Sequence, residues 1–100
     1  MSQTIANTLK ISVEISLYPL DDNFLSIIQD IVKKLNGVES IECRTNCMST
    51  QLFGEFDAVM KALSETLRYS FETYGRQVFV TKFVKGDLFG SLADDAPVSE

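Results

Sequence analysis

The residues that could do chemistry are concentrated in ECRTNCMSTQLFGEF (residues 42–56), where Cys43 and Cys47 lie four residues apart. A structural zinc site needs about four ligands, but the chain has two cysteines and no histidine. Redox pairs are typically Cys-x-x-Cys at a helix N-terminus, and this spacing is one residue longer. We interpret both cysteines as small, partly buried hairpin residues; a metal site shared between subunits is the open alternative.

Paired carboxylates are the second candidate for chemistry. Asp21-Asp22 precede an apolar periodic segment, where negative charge favours a helix start, and Asp94-Asp95 lie in an acidic end segment. The chain contains no G-x-G-x-x-G, no P-loop and no nucleophile elbow. The absence of histidine also removes the commonest general base. The sequence therefore predicts a protein that is not an enzyme and has no cofactor or metal.

The composition is that of one globular domain. Hydrophobic residues make up 45% and charged residues 23% of the 100 residues. The net charge of −5 argues against a nucleic-acid partner, which requires a basic face, and is compatible with a cationic ligand or a protein partner. Neither a signal peptide nor an apolar run of about 18–20 residues is visible, so we expect a cytoplasmic protein without membrane insertion.

The elements that must position these residues begin with a strand at residues 9–19. Its residues alternate between apolar and polar, which indicates a strand with one face on a core. Ser12, Glu14, Ser16 and Tyr18 fall on the polar side, and a proline ends the strand. Residues 21–37 change to a helical period. The predicted apolar stripe of this helix is Phe24, Ile27, Ile28, Ile31 and Leu35.

The second half of the chain repeats this organisation. Residues 40–45 and 47–53 indicate two short strands around a turn near Asn46, which tolerates turn geometry. Residues 55–74 form a second helix, and residues 76–86 are a β-branched and aromatic strand whose core side the pattern leaves open. The predicted stripe of the second helix is Phe56, Val59, Met60, Leu63, Leu67, Phe71 and Tyr74.

The order strand, helix, strand, strand, helix, strand predicts an α+β, ferredoxin-like βαββαβ fold, with a four-stranded antiparallel sheet and two helices on one face. We assign residues 1–8 to an N-terminal extension, 9–86 to the domain, and 87–100 to an acidic, flexible tail. The other sheet face stays open and is partly apolar. Such a face indicates either pairing with a second copy or a ligand site.

Polar side chains that converge with an aromatic ring are the remaining candidates for function. We expect hydroxyl and amide groups at strand ends and in the hairpin to form a pocket for a flat, polar small molecule. For each residue alone, a solvent-facing strand position is the alternative. The candidates are Ser16, Tyr18, Thr45, Ser49, Thr50 and Gln51.

Two stretches, ISLYPLDDNFLSIIQDIVKKL and TNCMSTQLFGEFDAVMKAL, followed by KFVKG, resemble the YkoF-like thiamin/hydroxymethylpyrimidine-binding family over residues 9–86. The resemblance implies the same ferredoxin-like fold and a non-enzymatic carrier or sensor. Its ligand would be thiamin or the hydroxymethylpyrimidine half, in a role linked to vitamin uptake or salvage. The site residues that the resemblance carries over are Ser16, Tyr18, Asp22, Thr45, Ser49 and Thr50, with Cys47 standing where a more polar residue is expected.

The resemblance also implies an assembly. Members of the family with two such domains in tandem suggest that this single-domain chain forms a homodimer, or a higher assembly of dimers. A ligand-free oligomerisation or interaction module that uses the open sheet face is the alternative function.

Overall fold

The computed structural model describes residues 9–89. The fold is α+β and ferredoxin-like, as the order of elements predicts. Residues 1–8 and 90–100, which include most of the predicted extension and tail, lie outside the described part of the chain. The elements are β1 (Lys10–Pro19), α1 (Phe24–Asn36), β2 (Glu42–Thr45), β3 (Thr50–Glu55), α2 (Phe56–Tyr74) and β4 (Gln77–Lys85).

The four strands form one antiparallel sheet in the order β2-β3-β1-β4. In β1, Ile11, Val13 and Ile15 are buried beneath the helices, as the alternation predicts. The register places Ser12, Glu14, Ser16 and Tyr18 on the opposite, open face. Both helices therefore cover one face of the sheet, and the polar side of β1 runs through the middle of the other.

The pairing of β4 with β1 settles which side of the last strand faces the helices. Phe79 pairs with Leu17 and lies on the helix side, whereas Val80 pairs with Ser16 and lies on the open side. Strand β4 is at the edge of the sheet, and several of its apolar residues stay exposed: Val78, Val80, Phe83 and Val84. A long edge strand with apolar residues on both sides is a template for a further partner.

The helices differ in part from the predicted stripes. Helix α1 begins three residues later than predicted, at Phe24, which is exposed. The Asp21 carboxylate accepts a hydrogen bond from the backbone N–H of Asn23, so this residue stabilises the turn before the helix rather than the helix itself. Residues Ile27, Ile31 and Leu35 form the buried stripe that the spacing predicts.

The buried face of α2 is rotated from the prediction. Val59 and Leu63 are buried as expected, but Phe56 and Phe71 are exposed. The other buried residues of α2 are small side chains outside the predicted stripe, namely Ala62, Thr66 and Ser70. The hydroxyl of Ser70 donates to Gln77 at the start of β4 over 2.7 Å, which satisfies both buried polar groups. The sequence pattern predicted that the large apolar residues would be buried, whereas the structure also buries small residues, among them Ser70 with a hydrogen-bond partner.

After β4 the chain turns back onto the open face. Gly86 adopts a φ of +105°, which a glycine adopts readily, and its N–H donates to the Lys10 carbonyl over 2.8 Å. The Ser12 hydroxyl donates to the Gly86 carbonyl over 2.7 Å and accepts from the Leu88 N–H over 2.9 Å. Residues 86–89, which we call the strap, thus lie over one end of the sheet and bury Ser12.

No helix within residues 9–89 is long and apolar enough to cross a membrane.

Candidate ligand-binding site on the open sheet face

A row of four polar side chains crosses the open face in register. Arg44 of β2 pairs with Gln51 of β3, Gln51 pairs with Glu14 of β1, and Glu14 pairs with Lys82 of β4. Directly paired residues of an antiparallel sheet place their side chains on the same face. The row therefore divides the open face into two halves, each with its own groove.

The first groove lies between the polar row and the β2–β3 turn. This turn-side groove has a volume of about 260 Å³. Tyr18, which is 54% exposed, supplies an aromatic ring at its far end. The hydroxyls of Ser16 and Ser49 line it together with the Glu14 carboxylate and the aliphatic side chains of Met48 and Val80. Aromatic, hydroxyl and carboxylate groups thus converge in one depression.

The Glu14 carboxylate is held between two donors. Its Oε2 accepts a hydrogen bond from the Ser49 hydroxyl over 2.8 Å, and its Oε1 lies 3.5 Å from the Lys82 ammonium. The bond from Ser49 and the nearby positive charge together lower the pKa of Glu14, because both favour the ionised form. At neutral pH Glu14 is therefore ionised, and it shares the turn-side groove with the Lys82 ammonium.

The second groove lies between the polar row and the strap. This strap-side groove has a volume of about 270 Å³ and shares Glu14 and Lys82 with the turn-side groove. Phe53 and Phe89 form one wall of this groove, and their ring centroids are 5.3 Å apart. The Arg44 guanidinium lies over Phe89, at 5.7 Å from the ring centroid.

The structure separates the residues that the sequence grouped at the hairpin. Ser16, Tyr18 and Ser49 meet in the turn-side groove. Thr45 and Thr50 lie on the helix side of the hairpin, where their hydroxyl oxygens are 3.1 Å apart. There they line a helix-side groove of about 140 Å³ with Cys47 and residues of α1; Ser16 and Ser49 reach its edge. The two sets are therefore neighbours around the turn rather than one convergent site.

Asp22 lies apart from both sets. It is exposed in the turn that precedes α1 and lines neither the turn-side nor the helix-side groove.

The cysteines occupy different environments. Cys43 is half-buried in β2 next to the core, and burial raises the pKa of its thiol. Cys47 is exposed in the turn, and both cysteines are free. Within the described residues, no group of three or more histidine, cysteine, aspartate or glutamate side chains could hold a metal ion.

The sequence analysis did not single out Glu14 and Lys82 as site residues. The alternation of β1 places Glu14 on the open face, so that signal was present. The partnership with Lys82 depends on the β1–β4 register, and the bond from Ser49 depends on how the turn folds over β1. Both relations join residues at least 35 positions apart in the sequence.

A second polar cluster lies on the helical side. The Asp30 carboxylate of α1 accepts hydrogen bonds from the hydroxyls of Tyr69 and Tyr74, both on α2. These bonds lower the pKa of Asp30 and raise that of each tyrosine, because the phenolate would face a carboxylate. Lys34 lies 4.5 Å above the Tyr69 ring. The hydrogen bonds of this cluster join α1 to α2.

Neither a family model nor a curated protein matches this chain. Solved structures do. A proposed thiamine biosynthesis/salvage protein from Thermotoga maritima is 18% identical, with a TM-score of 0.72 over 84% of this chain and 96% of that one. A protein from Streptococcus pneumoniae is 23% identical, with a TM-score of 0.71 over 80% and 90%. A domain of unknown function from Bacillus cereus is 12% identical, with a TM-score of 0.66 over 78% of each chain. At these identities the similarity establishes a common fold.

Proposed function

We propose that this protein binds thiamin or its hydroxymethylpyrimidine moiety in the turn-side groove, without catalysis, as a carrier or sensor. The observation that carries the proposal is the ionised Glu14 carboxylate, held by Ser49 in a groove that also contains the Tyr18 ring. The resemblance to YkoF-like proteins supports it. So does the fold shared with the Thermotoga maritima protein, which carries a proposed role in thiamine biosynthesis or salvage.

The chemistry of this ligand class matches the groove. An aminopyrimidine offers an exocyclic amino group that donates to a carboxylate, and a flat ring that packs on an aromatic side chain. Thiamin adds a permanent positive charge, which the Glu14 carboxylate and the net charge of −5 both favour. In this arrangement Glu14 accepts from the amino group, Tyr18 packs on the ring, and the Ser16 hydroxyl donates to a ring nitrogen.

The Lys82 ammonium must move away from Glu14 when the cationic ligand binds. Its side chain is 76% exposed, and the contact with Glu14 is a long 3.5 Å pair at the surface. Such exposed pairs contribute about 0–1 kcal/mol, so the ligand's amino group can replace the ammonium at little cost. The Ser49 hydroxyl remains on the other carboxylate oxygen and holds it in position.

Calorimetric titration with thiamin, hydroxymethylpyrimidine and oxythiamin tests the proposal. Oxythiamin has a carbonyl in place of the amino group, so it should bind much more weakly, because two acceptors would face each other. Glu14→Gln should weaken thiamin binding by about 10- to 100-fold, the loss of one charge-assisted hydrogen bond of ~1.5–3 kcal/mol. Glu39→Gln removes the same charge at an exposed loop position and should leave binding unchanged.

The outcomes separate the parts of this proposal. If none of the three compounds produces heat or raises the melting temperature, the ligand assignment is wrong. If oxythiamin binds as tightly as thiamin, the contact with Glu14 is wrong. If Tyr18→Ala binds as tightly as the parent protein, the ring does not pack in the turn-side groove.

The alternative function is an interaction module that forms a homodimer, or a larger assembly, through the sheet. The exposed apolar residues of edge strand β4, with Val80 49% exposed, favour it. Sedimentation equilibrium of the parent protein and of Phe83→Glu tests this assembly, since a charge at this exposed position should prevent pairing along β4. A dimer that binds no compound of this class would favour the interaction module; a monomer in both samples would exclude it.

A further inference from the structure

Arg44 is a cation without an anionic partner in the part of the chain that the structure describes. Its guanidinium forms no ion pair or side-chain hydrogen bond there, and it lies over the Phe89 ring. An arginine stacked on an aromatic ring keeps its planar edge of N–H donors free, and this edge fits the oxygens of a phosphate in a bidentate manner. In an acidic chain of net charge −5, an unpaired guanidinium at a groove indicates an anionic ligand group.

A second cation lies at the opposite end of the same row. Lys82 lines the strap-side groove together with Arg44. Lys82 is now paired with Glu14, and the proposed ligand would replace Lys82 as the partner of this carboxylate. Once displaced, the Lys82 ammonium remains within the strap-side groove and lacks a counter-charge. Binding of the heterocycle at Glu14 would thus leave a second unpaired cation along the same groove.

Three carboxylates lie in or near the strap-side groove. Glu14 is engaged by Ser49 through Oε2. Glu42 lies two residues before Arg44 on the same face of β2 and is exposed to solvent. The Asp87 carboxylate accepts from the Phe89 N–H over 3.0 Å, at the start of the strap's helical turn. None of these three carboxylates forms an ion pair with Arg44.

We propose that the strap-side groove binds a phosphate group of the ligand, so that the preferred ligand is the phosphate ester of a cationic heterocycle rather than the free alcohol. This inference rests on the proposed function. The ring would occupy the turn-side groove at Glu14, and the phosphate would lie beyond the polar row, between Arg44 and Lys82. Phe53 and Phe89 form the apolar wall along which the chain between ring and phosphate passes.

The dimensions of the sheet allow one ligand to reach both positions. Arg44 and Glu14 are separated by two strand spacings, since Gln51 lies between them. Adjacent strands are about 4.8 Å apart, so the two backbones are about 10 Å apart. This separation is comparable to that between the amino group and the phosphate of an extended two-ring phosphate ester. The two grooves share Glu14 and Lys82, so they meet along the polar row.

The test compares thiamin with thiamin monophosphate by calorimetric titration, in the parent protein and in Arg44→Gln. In the parent protein the monophosphate should bind about tenfold more tightly, as expected for a bidentate arginine–phosphate pair. In Arg44→Gln this preference should fall to about one, while the affinity for thiamin changes by less than about threefold. Arg44→Lys keeps the positive charge but loses the planar pair of N–H donors, so it should retain an intermediate preference for the monophosphate.

Lys61→Gln is the matched control, because it removes one positive charge at an exposed position of α2. It should leave the preference for the monophosphate intact. The inference is overturned if the parent protein binds both compounds equally, or if Arg44→Gln keeps the full preference; in both cases the binding of thiamin itself still supports the proposed function. If neither compound binds the parent protein, the proposed function fails and this inference fails with it.

Discussion

The hydroxyl of Ser49 donates a hydrogen bond to Oε2 of Glu14 over 2.8 Å, and so connects the β2–β3 turn to the centre of β1. The turn itself is fixed by Asn46, whose side-chain oxygen accepts from the backbone N–H groups of Met48 and Ser49. A serine that the sequence placed in a hairpin thus lowers the pKa of a carboxylate in the candidate site and holds it in position.

Ser49→Ala should raise the pKa of Glu14 towards its ordinary value of about 4.5, because the bond from the hydroxyl is the largest cause of its lowering. Carboxyl-carbon chemical shifts followed by NMR across pH 2–7 measure this directly. Ser26→Ala, an exposed change on α1, is the control and should leave the Glu14 titration where it is. An unchanged Glu14 titration in Ser49→Ala would show that the bond is not made in solution.

Asp30→Asn should lower the pKa of both Tyr69 and Tyr74, because the anion that opposes their ionisation is removed. Absorbance at 295 nm during an alkaline titration reports all three tyrosines of the chain. Two of them should ionise late in the parent protein and earlier in the variant. Identical titration curves would mean that Asp30 does not accept from these hydroxyls.

The same carboxylate should make stability depend on pH. Asp30 has a lowered pKa in the folded protein, so its contribution is present above its ordinary pKa of about 3.8 and is lost as the pH falls through the folded value. The parent protein should therefore exceed Asp30→Asn in stability at pH 7, and the difference should shrink towards pH 2–3. Urea unfolding at both pH values measures this, with Asp22→Asn as the exposed control.

Ser12→Ala should loosen the strap, because the hydroxyl bonds both the Gly86 carbonyl and the Leu88 N–H. Two hydrogen bonds of ~0.5–1.5 kcal/mol each are lost, so hydrogen exchange at Leu88 should accelerate by about tenfold or more. Ser64→Ala, an exposed change on α2, should have no such effect. Unaltered protection of Leu88 would mean that the strap is held by other contacts, such as the Phe53–Phe89 pair.

Leu52→Ala should destabilise the domain by about 2–5 kcal/mol, the range for removing a fully buried leucine from a packed core. Leu52 is inaccessible to solvent in β3 and belongs to the hydrophobic core, and β3 packs against α2. Leu25→Ala makes the same chemical change at an exposed position of α1 and should cost less than about 0.5 kcal/mol. Equal losses in the two variants would contradict the described core.

Local pattern determined the elements of this protein. The alternation in β1 assigned Ile11, Val13 and Ile15 to the core and Glu14 to the open face, and the structure confirms it. The change from period two to period 3.6 located both helices, because each secondary structure repeats its side-chain direction over a few residues. The order of elements then predicted the ferredoxin-like fold.

The sequence pattern predicted the buried face of α2 only in part. The large residues Phe56 and Phe71 of α2 are exposed, while Ala62, Thr66 and Ser70 are buried. A helical stripe defined by bulk cannot reveal that Ser70 will find Gln77 as a partner on another element. The exposed or buried state of a small polar residue depends on that partner.

The composition of the candidate site came from tertiary structure. Adjacent hairpin residues Ser49 and Thr50 line different sides of the sheet, so sequence proximity joined groups that the fold separates. The polar row from Arg44 to Lys82 needs three strand registers, and the strap-side wall needs Phe89 to return across the sheet. The sequence by itself determined which residues each element presents. Only the folded chain decided which of them meet, because the contacts that bring them together join residues far apart in the sequence.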